Sequence, residues 1–176
     1  GHNCLMGVDQ GDDLHVVIAE RERPSAPPSG RPPRTDAGRL KVLYLHRLRD
    51  ADHPDVWREL RRLMHRFDVA LCVVDLEPNA HSARTFAQEF AGRVYTSVYV
   101  TSSADTSVRS CNELRPNRTQ SLDSLVEAIL RREIVLPRLD EEVEQLIRHL
   151  CSLAKMREDD PRTHQARFRY LSTGAD

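Results

Sequence analysis

The chain opens with a short apolar run, Leu5-Met6-Gly7-Val8, that stops at Asp9. After a turn containing Gly11 comes a second run, Leu14-His15-Val16-Val17-Ile18-Ala19. Short apolar runs bounded by turn residues predict strands, and two so close together predict a hairpin. Residues 23 to 38 carry Pro24, Pro27, Pro28, Pro32 and Pro33 among Ser, Gly and Arg. Proline lacks the donor a ladder or helix interior requires, so this stretch predicts a loop inserted between strands. Leu40-Lys41-Val42-Leu43-Tyr44-Leu45 restores strand character, and the opening reads β-β-β.

From Pro54 the spacing changes. Val56, Trp57, Leu60, Leu63, Met64 and Phe67 recur at helical intervals, with Asp52 or His53 near the start. A strand ending at Asp75 (Ala70-Leu71-Cys72-Val73-Val74-Asp75), a helix from about His81 to Phe90 and a β-branched, aromatic strand from Val94 to Val100 follow. The polar segment after it has hairpin character. Gln120 or Ser121 then opens a helix over Leu122 to Arg132, and Ile134-Val135-Leu136-Pro137 is a short extended piece. Asp140 caps a last amphipathic helix carrying Val143, Leu146, Ile147, Leu150 and Leu153. Charged residues 155 to 167 read as a connector to a final strand, Phe168 to Ser172. Three leading strands, then strands alternating with helices, fit an α/β fold with a mixed five-stranded sheet of ribonuclease H type flanked by helices.

Length adds that the 176 residues suffice for one domain with a proper core, spanning 1–176 with the Pro-rich loop as an insertion. No apolar run approaches the roughly 20 residues a bilayer span needs, and no signal peptide is visible, so a soluble intracellular protein is expected. Cys4, Cys72, Cys111 and Cys151 lie far apart without a CxxC pair, which argues against a zinc knuckle or a disulfide framework. The match of Asn117-Arg118-Thr119 to a glycosylation site is discounted in that context. Neither GxGxxG nor GxxxxGK[ST] occurs, which argues against dinucleotide and P-loop sites. Gly1-His2 looks like the remnant of a cleaved tag, as expected for a domain excised from something longer. The net charge is −1, and lysine is nearly absent beside abundant arginine. A polyanion partner would therefore be met by a local patch.

The candidate chemistry lies where the apolar runs end. A central strand finished by an acid leaves a carboxylate that must meet solvent, a cation or a partner, because an unpaired buried charge costs several kcal/mol. In the sheet order above, the strands ending at Asp9 and Asp75 are neighbours, so the two acids can share a cation. Asp176, after the break Thr173-Gly174, offers a third acid. Carboxylates suit hard cations, and two Mg²⁺ or Mn²⁺ ions about 4 Å apart supply an activated water, a stabilised leaving oxygen and charge neutralisation for phosphodiester hydrolysis.

The ordered set Met6-Gly7-Val8-Asp9-Gln10-Gly11, Cys72-Val73-Val74-Asp75 with Pro78, and Asn117-Arg118-Thr119-Gln120-Ser121-Leu122-Asp123 before Ile134-Val135-Leu136-Pro137 resembles the C-terminal nuclease domain of tailed-bacteriophage large terminases. The resemblance spans nearly the whole chain. It implies that Asp9, Asp75 and Asp176 are catalytic metal ligands, Asp9 bridging two ions with Asp75 on one and Asp176 on the other. It further implies an endonuclease acting on concatemeric double-stranded DNA during genome packaging in the host cell cytoplasm. Its partners would be an ATPase motor domain that precedes it, a small terminase subunit and the portal. Family members usually continue past the last acid, whereas this chain ends there.

Asp12 and Asp13 stand as auxiliary ligand candidates, a solvated hairpin turn being the other reading. Glu77 reads as a surface charge near the same cleft, and His81 either as a group that orients a water or phosphate or as a first-turn helix residue. Arg109, Arg115 and Arg118 are candidates for DNA phosphate contacts, a solvated loop being the other reading, with Arg118-Thr119 alternatively holding the segment against the sheet. A Holliday-junction resolvase or ribonuclease H would use the same acids, and a non-catalytic scaffold of this fold would keep them only as turns.

Overall fold

The computed structural model describes residues 4–22, 38–100, 107–110, 112–159 and 166–173. The opening hairpin forms as predicted: β1 (Cys4–Gln10) pairs antiparallel with β2 (Leu14–Arg21), which pairs antiparallel with β3 (Leu40–Leu48). At the base of the Pro-rich insertion the Glu22 amide donates to the Arg39 carbonyl at 2.8 Å. Gly38 there has φ +73°, and a Cβ on it would lie 2.4 Å from the Glu22 carbonyl oxygen. Only glycine fits that crossing without strain. The rest of the insertion, residues 23–37, lies outside the described residues.

Helix α1 (Pro54–Arg66) starts at His53, whose Nδ1 accepts the Asp55 amide at 3.2 Å, with Pro54 in the first turn. Its apolar stripe buries Val56, Trp57, Leu60, Leu63 and Met64, each contributing about 1.5–3 kcal/mol of hydrophobic stabilisation. β4 (Val69–Asp75) follows, then α2 (Ala80–Glu89), capped by Asn79, and β5 (Val94–Ser97). β6 (Ser107–Ser110) and β7 (Glu113–Arg115) form the hairpin expected in the polar segment. α3 (Arg118–Leu130) starts at an Asn117 cap, earlier than Gln120 or Ser121. Its first turn, Arg118-Thr119-Gln120, is polar and shows no apolar period that would mark it as helix. Beyond it come β8 (Ile134–Val135) and α4 (Glu141–Cys151), the latter capped by Asp140 as read from the sequence.

The main sheet is mixed, in the order β6-β7-β5-β4-β1-β2-β3-β8. The ribonuclease H-type arrangement is present, but β7 with β6 at one edge and β8 at the other extend the sheet beyond the five strands expected. These edge strands are too short to produce a periodic pattern. One further reading is corrected. The charged stretch expected as a connector is β9 (Leu153–Asp159), paired antiparallel with β10 (Ala166–Ser172) in a separate two-stranded sheet. Every side chain from Lys155 to Asp159 is exposed, so the strand has no buried face to give an alternating apolar signal. This sheet is tied to α3 by Lys155, whose Nζ lies 2.7 Å from one Asp123 carboxylate oxygen, and by the Tyr170 hydroxyl, 2.8 Å from the same oxygen.

Register decides which face of the main sheet carries the core. Met6 pairs with Ile18 and Cys72, and Val8 with Val16 and Val74. All six are buried, forming the floor on which Leu60, Leu63, Met64 and Phe86 of α1 and α2 pack. Side chains alternate across a strand, so Asp9 and Asp75, one residue beyond Val8 and Val74, belong to the opposite face. Among the described residues, no helix is long and apolar enough to cross a membrane.

Candidate active site

Across the open end of the sheet, residues from four adjacent strands fall into one row: His15 opposite Asp9, Asp9 beside Asp75, and Asp75 opposite Ser97. β1 and β4 are parallel and end together, so their final acids emerge at the same place. The Asp9 carboxyl reaches hydrogen-bond contact with that of Asp75. The Ser97 hydroxyl donates to Asp75 Oδ1 at 2.7 Å. On the other side of the chain, the buried Gln10 amide donates to the Asp75 backbone carbonyl and ties the ends of β1 and β4 together. His15 turns toward α4, its ring edge-on to His149 with centroids 6.0 Å apart.

The charge of this row is uncomfortable without a cation. Burial raises the Asp75 carboxyl to a pKa of about 6; the Asp9 contact and charge add to the rise, while Ser97 and Arg118 oppose it. A divalent ion beside the Asp75 carboxyl would offset that rise. The donor set is all hard oxygen, which fits Mg²⁺ or Mn²⁺. Among the described residues no three His, Cys, Asp or Glu side chains converge on one point. Asp176, expected as the third acid, lies outside the described residues.

The auxiliary candidates have other surroundings. Asp13 is fully engaged: Oδ1 accepts the Asp50 amide at 2.8 Å and Oδ2 meets the Arg47 guanidinium. These contacts hold its carboxyl below the usual range, the Asp50 hydrogen bond first. Asp13 thus pins the β1–β2 turn to the segment after β3. Asp12 is exposed, and its carbonyl accepts the Ala51 amide at 2.9 Å. Glu77 is exposed beyond the end of β4, and His81 is exposed in the first turn of α2, where its carbonyl accepts the Thr85 hydroxyl.

The three arginines lie on three successive elements. Arg109 belongs to β6, and Arg115 on β7 donates to Glu113 of the same strand at 3.1 Å. Arg118 opens α3, its amide donates to the Val100 carbonyl at 3.3 Å, and its charge acts on Asp75. Ser97 and Gln10 were not among the sequence candidates. Ser97 becomes visible only once β5 is placed in register with β4.

Among solved structures, the crystal structure of the large terminase nuclease from thermophilic phage G20c superposes with a TM-score of 0.60 over 99% of this chain and 75% of that one, at 17% identity. The chain has the fold of a terminase nuclease. Thermus thermophilus RuvC (TM-score 0.37, 17% identity, 53% of this chain and 60% of that one) overlaps less well. So does the yeast mitochondrial Holliday junction resolvase Ydc2 (0.38, 9%, 80% and 68%). No family model matches the sequence, and no curated protein matches it.

Proposed function

We propose that this terminase-nuclease-like domain is a metal-dependent DNA endonuclease. It would cut concatemeric double-stranded DNA during viral genome packaging, with Asp9 and Asp75 as metal ligands and Asp176 as the third. The observation that carries this reading is the contact of Asp9 with Asp75 at the shared end of two central parallel strands. A pair of acids held at that cost, with no described basic group in direct contact, is better explained by a cation than by turn formation.

Divalent ions bound there would supply charge neutralisation at the phosphate and a more acidic water. The chain's own groups would do the rest. Ser97 fixes the Asp75 carboxylate through its hydroxyl, so that one oxygen is oriented before a ligand arrives. Gln10 holds the two strand ends in place from the core side. Arg118, at the positive end of α3, is placed to attract a phosphate toward the acids. With a net charge of −1, long-range attraction to DNA is weak, so affinity should be low and fall with salt. The motor domain, small subunit and portal are the partners this reading expects, and they would provide the grip on the duplex.

Cleavage of matched substrates tests the substrate class: linear duplex DNA, an RNA–DNA hybrid and a four-way junction, each with Mn²⁺. The proposal expects duplex DNA to be cut at least as well as the others, with little sequence preference. Exclusive cutting of the junction or of the hybrid would replace it with a resolvase or a ribonuclease H. No ion-dependent cutting of any substrate would leave a binding scaffold.

A further inference from the structure

We propose that Tyr99 is a substrate-binding residue of this site, its phenol donating a hydrogen bond to a DNA phosphate that adjoins the one held at Asp9 and Asp75. The inference deepens the nuclease reading and rests on it.

The backbone places Tyr99 there. β5 ends at Ser97, yet its hydrogen bonding continues: the Val98 amide donates to the Leu114 carbonyl and the Val100 amide to the Pro116 carbonyl, both at 3.0 Å. The chain is thus extended through Val100, and in extended chain the side chains of residues two apart share a face. Ser97 is on the face of the acids, because its hydroxyl bonds Asp75. Tyr99 therefore projects from the same face, one step further toward solvent. β4 ends at Asp75, so β5 overshoots it on that side and Tyr99 lies past the level of the acids, while the backbone from Leu114 to Pro116 continues along the other side.

A single exposed ring is ordinary on a protein surface. Tyr99 differs in its surroundings. It is 50% exposed, and among the described residues it has no hydrogen-bond or ring partner. The charges of Asp75, Asp9 and Arg118 all reach its hydroxyl. Asn117 bridges Val100, which brings the first turn of α3 and Arg118 alongside. The helix N-terminus and guanidinium favour an anion at this spot. A neutral hydroxyl beside them can donate to a phosphate without adding to the negative charge of the acids. Tyrosine is among the side chains that make such phosphate contacts, which fix register and carry no sequence information.

The test is binding of a short fluorescent DNA duplex by anisotropy, with Ca²⁺ in place of Mn²⁺, to wild type, Tyr99→Phe and Tyr99→Ala. Mn²⁺ cleavage kinetics run in parallel. A hydrogen bond to a charged group predicts that Tyr99→Phe binds roughly tenfold more weakly, that Tyr99→Ala is no weaker than Tyr99→Phe, and that KM rises while kcat is kept. Mn²⁺ affinity by calorimetry and the melting temperature should match wild type in both variants. Unchanged duplex affinity in Tyr99→Phe overturns the proposal, as does a loss confined to Tyr99→Ala, which would assign the contact to the ring. If wild type cuts DNA and Tyr99→Phe binds it normally, the inference fails and the nuclease reading stands. If wild type neither binds nor cuts DNA, both fail.

Discussion

Asp9 and Asp75 sit one residue past Val8 and Val74, the last paired positions of two parallel central strands, and their carboxyl groups meet. The same register buries the two valines under α1 and α2 and turns the two acids to the other face. The core and the site are thus fixed by one alignment, and a slip of one residue would lose both.

The raised Asp75 pKa gives the first prediction. The folded state holds this proton more tightly than the unfolded chain does. Its contribution to stability is therefore most favourable below the unfolded value near 4, and is lost as pH rises through about 6. In EDTA, the melting temperature of wild type should fall relative to Asp75→Asn between about pH 4 and pH 7. At neutral pH in EDTA, Asp75→Asn should be at least as stable as wild type. Adding Mn²⁺ at pH 7.5 should raise the melting temperature of wild type only. Parallel pH profiles in the two proteins would show that Asp75 carries no such strain.

Asp13 provides a contrast among the acids of the first hairpin. With both oxygens engaged by Asp50 and Arg47, Asp13→Ala should lower the melting temperature and leave Mn²⁺ affinity unchanged. Calorimetry on the variant checks this, and a clear loss of ion affinity would return Asp13 to the ligand set.

The third prediction concerns the insertion between β2 and β3. Its base is already closed by the Glu22–Arg39 hydrogen bond, and its proline content gives it little to pair or bury. Replacing residues 24 to 36 by a short Gly-Ser linker should preserve cooperative melting near the wild-type temperature. Loss of cooperativity would show that the insertion packs on the core.

Core packing is tested at Leu60, which is fully buried between α1 and the sheet. Leu60→Ala should cost about 2–5 kcal/mol in chemical denaturation. A cost under about 1 kcal/mol would mean that α1 is not seated as described.

Much of this was legible in the sequence, for identifiable reasons. The opening strands, α1 and the Asp140 cap announce themselves through local patterns, as do the acids that end two apolar runs. Signals that need a neighbour were hidden. Asn117 as a cap is masked by the polar turn after it, and β9 has no buried face. β10 reads as a strand, but nothing in its residues shows that it pairs with β9 and stays out of the main sheet. Ser97, Gln10 and Tyr99 acquire roles only through register with β4, which single-chain periodicity does not encode.

The central claim, that the Asp9–Asp75 pair is the metal centre of a DNA endonuclease, is tested most directly by supercoiled plasmid incubated with wild type and Asp9→Asn in Mn²⁺, Mg²⁺ and EDTA. Wild type should relax and then linearise the plasmid in Mn²⁺, more slowly in Mg²⁺, which tolerates imperfect geometry less well, and not in EDTA. Asp9→Asn, nearly the same shape without the charge, should be folded and inactive in all three. Cutting by Asp9→Asn at the wild-type rate, or cutting by wild type in EDTA, would contradict the account.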